Sequence, residues 1–300
     1  MELQQAYHEL QFENAFLKSK GDAFQTFFEN LMTRAYKSDF MACRPWGKEG
    51  DKKNDGFLKS EKRLFQVYAP NEMEASKAIA KIKEDFEGAK KYWKSYFDKW
   101  TFVHNAYDGL PPHVQQLILE LEKNNQGLII ETWSLEELRV IFRKLSIDDK
   151  QSWFGLAPTN ETKSNLGFND IKVILENLSS TNVPPPAEIK TVPAGKIKAN
   201  ALSEAVVDLL HQGITKSYVV QNFLDQWYDS SLGERLSLSF NNKYKELKAQ
   251  YTPNQIFYEL QKWVGGGQRG TPEHEFAVIT VLAYFFERCD IFEEPKGEIK

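Results

Sequence analysis

Cysteine is nearly absent: the 300 residues hold two, Cys43 and Cys289, far apart in the chain. Two distant thiols exclude the disulfide framework of a small secreted domain and fit a reducing cytoplasm better. They also exclude a zinc site built from four cysteines. Long apolar runs are missing, so no segment approaches the roughly 18 residues that a membrane-spanning helix needs. The opening MELQQAYHELQFENAF lacks a basic stretch followed by an apolar one, so no signal peptide is expected. Proline and glycine number only 12 and 17, which excludes collagen-like and low-complexity chains. The five histidines are scattered and support no Ser/His/Asp triad, and His274 has no second histidine at helical spacing. The glycine-rich run Gly265–Thr271 lacks the Gly-Lys-Ser/Thr ending of a phosphate loop and reads as a helix–helix connection.

What remains is a soluble globular composition, 41% hydrophobic and 27% charged, long enough for two domains. The net charge of −4 argues against a wholly cationic nucleic-acid coat, but it hides an asymmetry. Residues 1–100 carry 18 Lys and Arg against 16 Asp and Glu, and the other 200 carry 20 against 26. A DNA-binding surface therefore belongs in the first third.

Apolar spacing predicts helices over about 3–17 and 22–36, then a polar, turn-rich stretch over 40–63. Leu64–Ala69 reads as a strand ended by Pro70. A long amphipathic helix follows at 71–97, with Ile79, Ile82, Phe86, Ala89 and Trp93 on one face. Strands at 100–104 and 127–132 alternate with helices at 111–123 and 134–145. That rhythm predicts an α/β domain over 1–145, a mixed sheet flanked by helices. Prolines 184–186 and the Pro193-Ala194-Gly195 turn mark 146–200 as a linker with one short helix near 168–178. Residues 201–300 read as an all-helical domain, with helices at 202–212, 215–228, 232–250, 253–263 and 272–288.

Chemistry concentrates between Glu29 and Tyr68. Glu29 lies on the second helix, Asn54-Asp55-Gly56 reads as a turn or hairpin, and Gln66 and Tyr68 sit at i and i+2 of a strand. Each piece has a plainer reading: a turn, a solvated helix face, a pair edging the core. In order and spacing, however, about residues 20–145 resemble the PD-(D/E)XK, restriction-endonuclease-like nuclease superfamily. The likeness is to the branch whose motif runs Glu … Asp-Gly … Gln-x-Lys, as in type IV restriction-like enzymes. The resemblance implies that Asp55 and Gln66 hold Mg²⁺ (or Mn²⁺), that Glu29 adds a second negative charge, and that Asp51 is a reserve ligand. Such an ion polarises the phosphate and lowers the pKa of bound water. The family's lysine is replaced by Tyr68, so Lys53, Lys62 or Lys77 is expected to stand in, or Tyr68 acts at a lower rate, or the site is silent. A turn aspartate holds up little core, so Asp55→Ala is expected to leave the fold intact.

Lys52, Lys53, Lys59, Lys62 and Arg63 cluster on the same stretch, and lysines stud the following helix. They read as phosphate contacts to duplex DNA, or as a solvated face. His104 and Asn105 are second-rank candidates for the same cleft. The helical domain resembles the tails of nuclease-like proteins in bacterial anti-phage defence loci, including those encoded beside an ATPase. That resemblance implies gating by an ATPase partner or a homo-oligomer. The expected protein is a cytoplasmic, metal-dependent endonuclease with no membrane attachment. The alternatives are a catalytically silent DNA-binding or scaffolding subunit of an ATPase complex, and an α/β protein with an accidental likeness.

Overall fold

Leu64, Phe65, Val67 and Tyr68 suit a pleated, buried surface, and they form β3 (Arg63–Tyr68), the strand about which the α/β sheet is arranged. The computed structural model describes residues 2–43, 52–179, 196–267, 270–288 and 290–293. The chain divides into two compact units, residues 15–150 and residues 1–14 with 151–300.

In the α/β unit the sheet order is β1 (Phe40–Ala42), β2 (Gly56–Leu58), β3, β4 (Lys99–His104), β5 (Ile129–Trp133). Strand β2 runs antiparallel to both β1 and β3, whereas β3, β4 and β5 are parallel. Parallel neighbours need long crossovers, and here α3 (Ala75–Trp93) and α4 (Pro112–Asn124) supply them. Side chains alternate along each strand, so the two faces carry different sets. Leu64, Trp100, Phe102 and Ile130 face one layer and pack with Ile82 and Phe86 of α3 and Val114 of α4. Phe65 faces the other, where Phe28 of α2 (Gly21–Tyr36) meets it at 5.2 Å between ring centroids. There α5 (Leu135–Arg143) packs on α2, its start fixed by the Ser134–Glu137 capping box. The unit is α/β, with the mixed sheet flanked by helices that the sequence predicts.

The Asn54-Asp55-Gly56 stretch is not a hairpin tip. Asn54 and Asp55 are buried and Gly56 opens β2. A Cβ on Gly56 would lie 2.6 Å from Phe40 Cζ, so this glycine serves close packing. The β2–β3 turn falls instead at Lys59–Lys62, where Lys62 takes a φ of 47°.

The helical unit begins with α1 (Leu3–Lys18), buried almost all round as far as Asn14. The expected boundary at 145 placed this helix in the α/β domain; instead Leu3, Ala6, Tyr7 and Leu10 join the helical core. The expected linker is also largely built. Helices α6 (Ile147–Phe154), α7 (Asn160–Asn165) and α8 (Phe168–Ser179) form there, and Ile171, Ile174 and Leu175 enter the same core. Apolar residues four apart on α8 carry that burial, and nearby prolines do not interrupt it. The prolines 184–186 and the Pro193–Gly195 turn lie outside the described residues, as do Asp51 and Cys289. Beyond α9 (Lys196–Ala199), helices α10 (Glu204–Ile214), α11 (Ser217–Gln226) and α13 (Pro253–Val264) pack on α14 (Pro272–Glu287), and α12 (Leu232–Lys248) reaches it through Phe240 stacked on Phe285. Every residue from Glu275 to Phe286 is buried, the pattern of a helix enclosed by its neighbours. Among the described residues no helix is long and apolar enough to cross a membrane.

Candidate active site

Gln66 lies in β3, and Asp55 immediately precedes β2, the antiparallel neighbour of β3. Gly56 pairs with Phe65, so continuing the register by one residue sets Asp55 opposite Gln66. Both are buried, at 5% and 2% exposure. Asp55 Oδ2 accepts from Gln66 Nε2 at 2.6 Å and from the Val67 backbone N–H at 2.7 Å. Gln66 has turned its amide nitrogen to the carboxylate, and its Oε1 is buried with no hydrogen-bond partner among the described residues. An orphaned buried carbonyl is costly. It is also what an oxygen-seeking cation would satisfy, so the residues present fit a Mg²⁺ or Mn²⁺ ion with one charged and one neutral donor.

The expected third ligand belongs to another layer. Glu29 is half-buried on α2 and its Oε1 accepts from Gln25 Nε2 at 3.2 Å. Helix α2 covers the Phe65 face of β3, whereas Gln66 alternates to the other. No three His, Cys, Asp or Glu side chains among the described residues gather closely enough to hold a metal. Asp55 and Gln66 are brought together; Glu29 is not shown to join them.

Tyr68 shares the Gln66 face, its ring 5.9 Å from Phe102. Three lysines were candidates to replace the missing charge, and the structure separates them. Lys53 Nζ lies 2.5 Å from Glu84 and 3.1 Å from Asp85 on α3, and these bonds raise its pKa. Its stem crosses the helix at Gly88, where a Cβ would sit 2.4 Å from Lys53 Cγ. Lys62 pairs with Asp98 at 3.1 Å beside the β2–β3 turn. Lys77, near the start of α3, is exposed and bonded to Glu74 at 2.7 Å.

The expected DNA grip also divides. Lys52, Lys59 and Lys62 are exposed, but Arg63 is not. Its guanidinium is buried between Glu61 and Glu131, donates to Thr101 Oγ1 at 2.7 Å and covers the Trp133 ring at 4.9 Å. A strand residue two before Phe65 shares its inward face, and that alternation was the available signal. Arg63 is therefore corrected from a phosphate contact to a structural ion pair.

Two features were missed or underrated. Asp85 is fully buried between Lys53 and Lys81, and burial pushes its carboxyl above the usual range despite both ammonium groups. Its place among Ile82, Phe86 and Ala89 on the apolar stripe of α3 was the sequence signal. His104 pairs with Tyr68 in register. It lines a cavity of about 190 Å³ at the ends of β4 and β5, with Leu110, Gln115, Thr132 and Glu137. Burial lowers its pKa to about 4, so the imidazole is neutral near pH 7, with Nδ1 accepting the Ala106 N–H at 3.3 Å. Asn105 instead ties the loop, donating to the Pro70 carbonyl at 3.1 Å.

Residues 168–293 match the family model of C-terminal domain 10 of the ABC-three component (ABC-3C) systems. The match lies within the helical unit and covers less than half the chain. It indicates a component of ABC-3C anti-phage defence systems, which include ATPase components. No curated protein and no solved structure matches the chain.

Proposed function

We propose that the α/β unit is a restriction-endonuclease-like, metal-dependent DNA endonuclease, and that the chain is a defence effector gated by an ATPase partner or by self-association. The observation that carries this reading is the buried Asp55–Gln66 pair, with an amide oxygen left unpartnered on the strand beside the carboxylate. Asp55 and Gln66 Oε1 would hold Mg²⁺ or Mn²⁺. Such an ion supplies Lewis acidity to the phosphate and an activated water. Tyr68 offers a hydroxyl donor on the same sheet face, and Lys77, exposed near the start of α3, would supply the positive charge. Lys52, Lys59 and Lys62 grip phosphates without reading sequence.

The test is cleavage of linear and supercoiled duplex DNA with Mg²⁺ or Mn²⁺, beside an EDTA control. Asp55→Asn keeps a hydrogen-bond acceptor yet removes the charge, and it should lower cleavage about a hundredfold or more. Cleavage equal to wild type in that variant would remove Asp55 from the site. A second reading, the catalytically silent DNA-binding subunit, is favoured by one observation: Lys53 is committed to Glu84 and Asp85. Duplex binding at low salt without metal-dependent cutting would decide for it.

A further inference from the structure

Helix α3 buries a stripe of Ala78, Ile82, Phe86 and Ala89, and half-buried Trp93 continues it. Tyr92, on the last turn of α3, and Tyr96, three residues beyond its end, fall outside that stripe and are 46% and 61% exposed. Packing does not require two large rings in water here, and Lys91 and Lys94 lie within a few residues of both in the chain. Lys91 Nζ sits 5.1 Å from the Tyr92 ring centre, and Lys94 is exposed between the two tyrosines in sequence. Trp93 and Tyr96 rings are 6.1 Å apart and steeply inclined.

The patch is also tied to the candidate active site. Trp93 Nε1 donates to the Lys52 carbonyl at 3.0 Å, and Lys53 lies across Gly88 of the same helix. Lys52 is three residues from Asp55, a chain reach of at most about 11 Å.

We propose that the C-terminal end of α3 is a stacking platform for single-stranded DNA, seated beside the Asp55–Gln66 site. This rests on the DNA-handling part of the function proposed above, not on cleavage. The chemistry selects the ligand. Lysines alone attract any polyphosphate, duplex included, and carry no preference. Exposed tyrosine rings add stacking only where base faces are free, and a duplex hides those faces except at its ends. The combination therefore favours an unpaired strand.

The experiment measures binding of the full chain, in EDTA, to a dT oligonucleotide of about twenty nucleotides and to a duplex of equal length. Wild type should bind the single strand more tightly. Tyr92→Ala and Tyr96→Ala should each weaken that binding about tenfold and change duplex binding little. Lys91→Gln with Lys94→Gln should weaken both ligands alike and flatten the salt dependence. Tyrosine variants that bind dT as wild type does, a preference for duplex, or no binding of either ligand would each overturn the platform. Because EDTA prevents cutting, none of these outcomes touches the Asp55 cleavage test, which stands or fails separately.

Discussion

The two units bury polar side chains in different ways. In the helical unit these groups mostly close helix ends and loops. Lys196 donates to the Phe286 carbonyl at the end of α14, and Asn254 Oδ1 accepts the Ser203 N–H that precedes α10. Glu275, at the start of α14, accepts from Tyr7, Gln261 and the Gly270 N–H. In the α/β unit, Asp55 and Gln66 meet between strands, where Asp55 Oδ2 takes both the Gln66 amide and the Val67 backbone N–H. They close no helix end, and they leave an oxygen without a partner. Unpartnered atoms such as Gln261 Oε1 and Asn14 Oδ1 occur in the helical unit too, so the difference lies in where the polar groups sit, at helix ends there and between strands here.

This contrast can be broken most severely at Glu275. Glu275→Ala removes the acceptor of three donors in a buried place, and stability should fall by about 3 kcal/mol or more. Asp55→Asn, in contrast, should cost about 1 kcal/mol while cleavage is lost. Denaturant unfolding of the two full-length variants checks both figures. Equal losses would mean that Asp55 too is chiefly a structural group. Asp55→Ala is the poorer probe, because the carboxylate is buried and truncation would strand the Gln66 amide.

Much of this arrangement was legible in the sequence. The strands at 63–68, 99–104 and 129–133 and the helices of the C-terminal part fall within a few residues of the apolar periodicity. Asp55 and Gln66 were legible as a pair because a motif resemblance joined them. Their layer was not, since the face on which α2 packs is set by tertiary contacts such as Phe28 on Phe65. Helix α1 was misassigned for a related reason: its buried Glu9 and Glu13 look solvated by composition, and only packing shows them inside. Arg63 illustrates the same limit, since a basic run reads as surface until the strand's alternation is applied to it.

His104 sharpens the comparison with a smaller effect that pH reveals. Its folded pKa of about 4 lies below the ordinary 6.5, so the unfolded chain binds a proton that the folded one refuses. Above pH 6.5 both states are neutral and nothing is lost. As pH falls from 6.5 towards 4, the unfolded state protonates first, and stability should drop by up to about 3 kcal/mol. His104→Gln should remove that part of the pH dependence in denaturant unfolding. An unchanged acid profile would show that His104 does not carry this part of the pH dependence.

The smallest effects separate Lys53 from Lys77, and they bear most directly on whether the site works. Lys53→Gln removes one of two ammonium groups beside buried Asp85 but leaves Lys81 at 3.0 Å. The pair is partly solvated on the Glu84 side, so the expected loss is about 1 kcal/mol of stability with turnover unchanged. Lys77→Gln should do the reverse, since its side chain is exposed and its bond to Glu74 is a surface pair. Its charge would be lost from the reaction, lowering turnover about tenfold while unfolding stays as in wild type. Slower turnover in Lys53→Gln but not in Lys77→Gln would return the missing charge to Lys53, and would require its ammonium to leave Glu84 and Asp85 during the reaction.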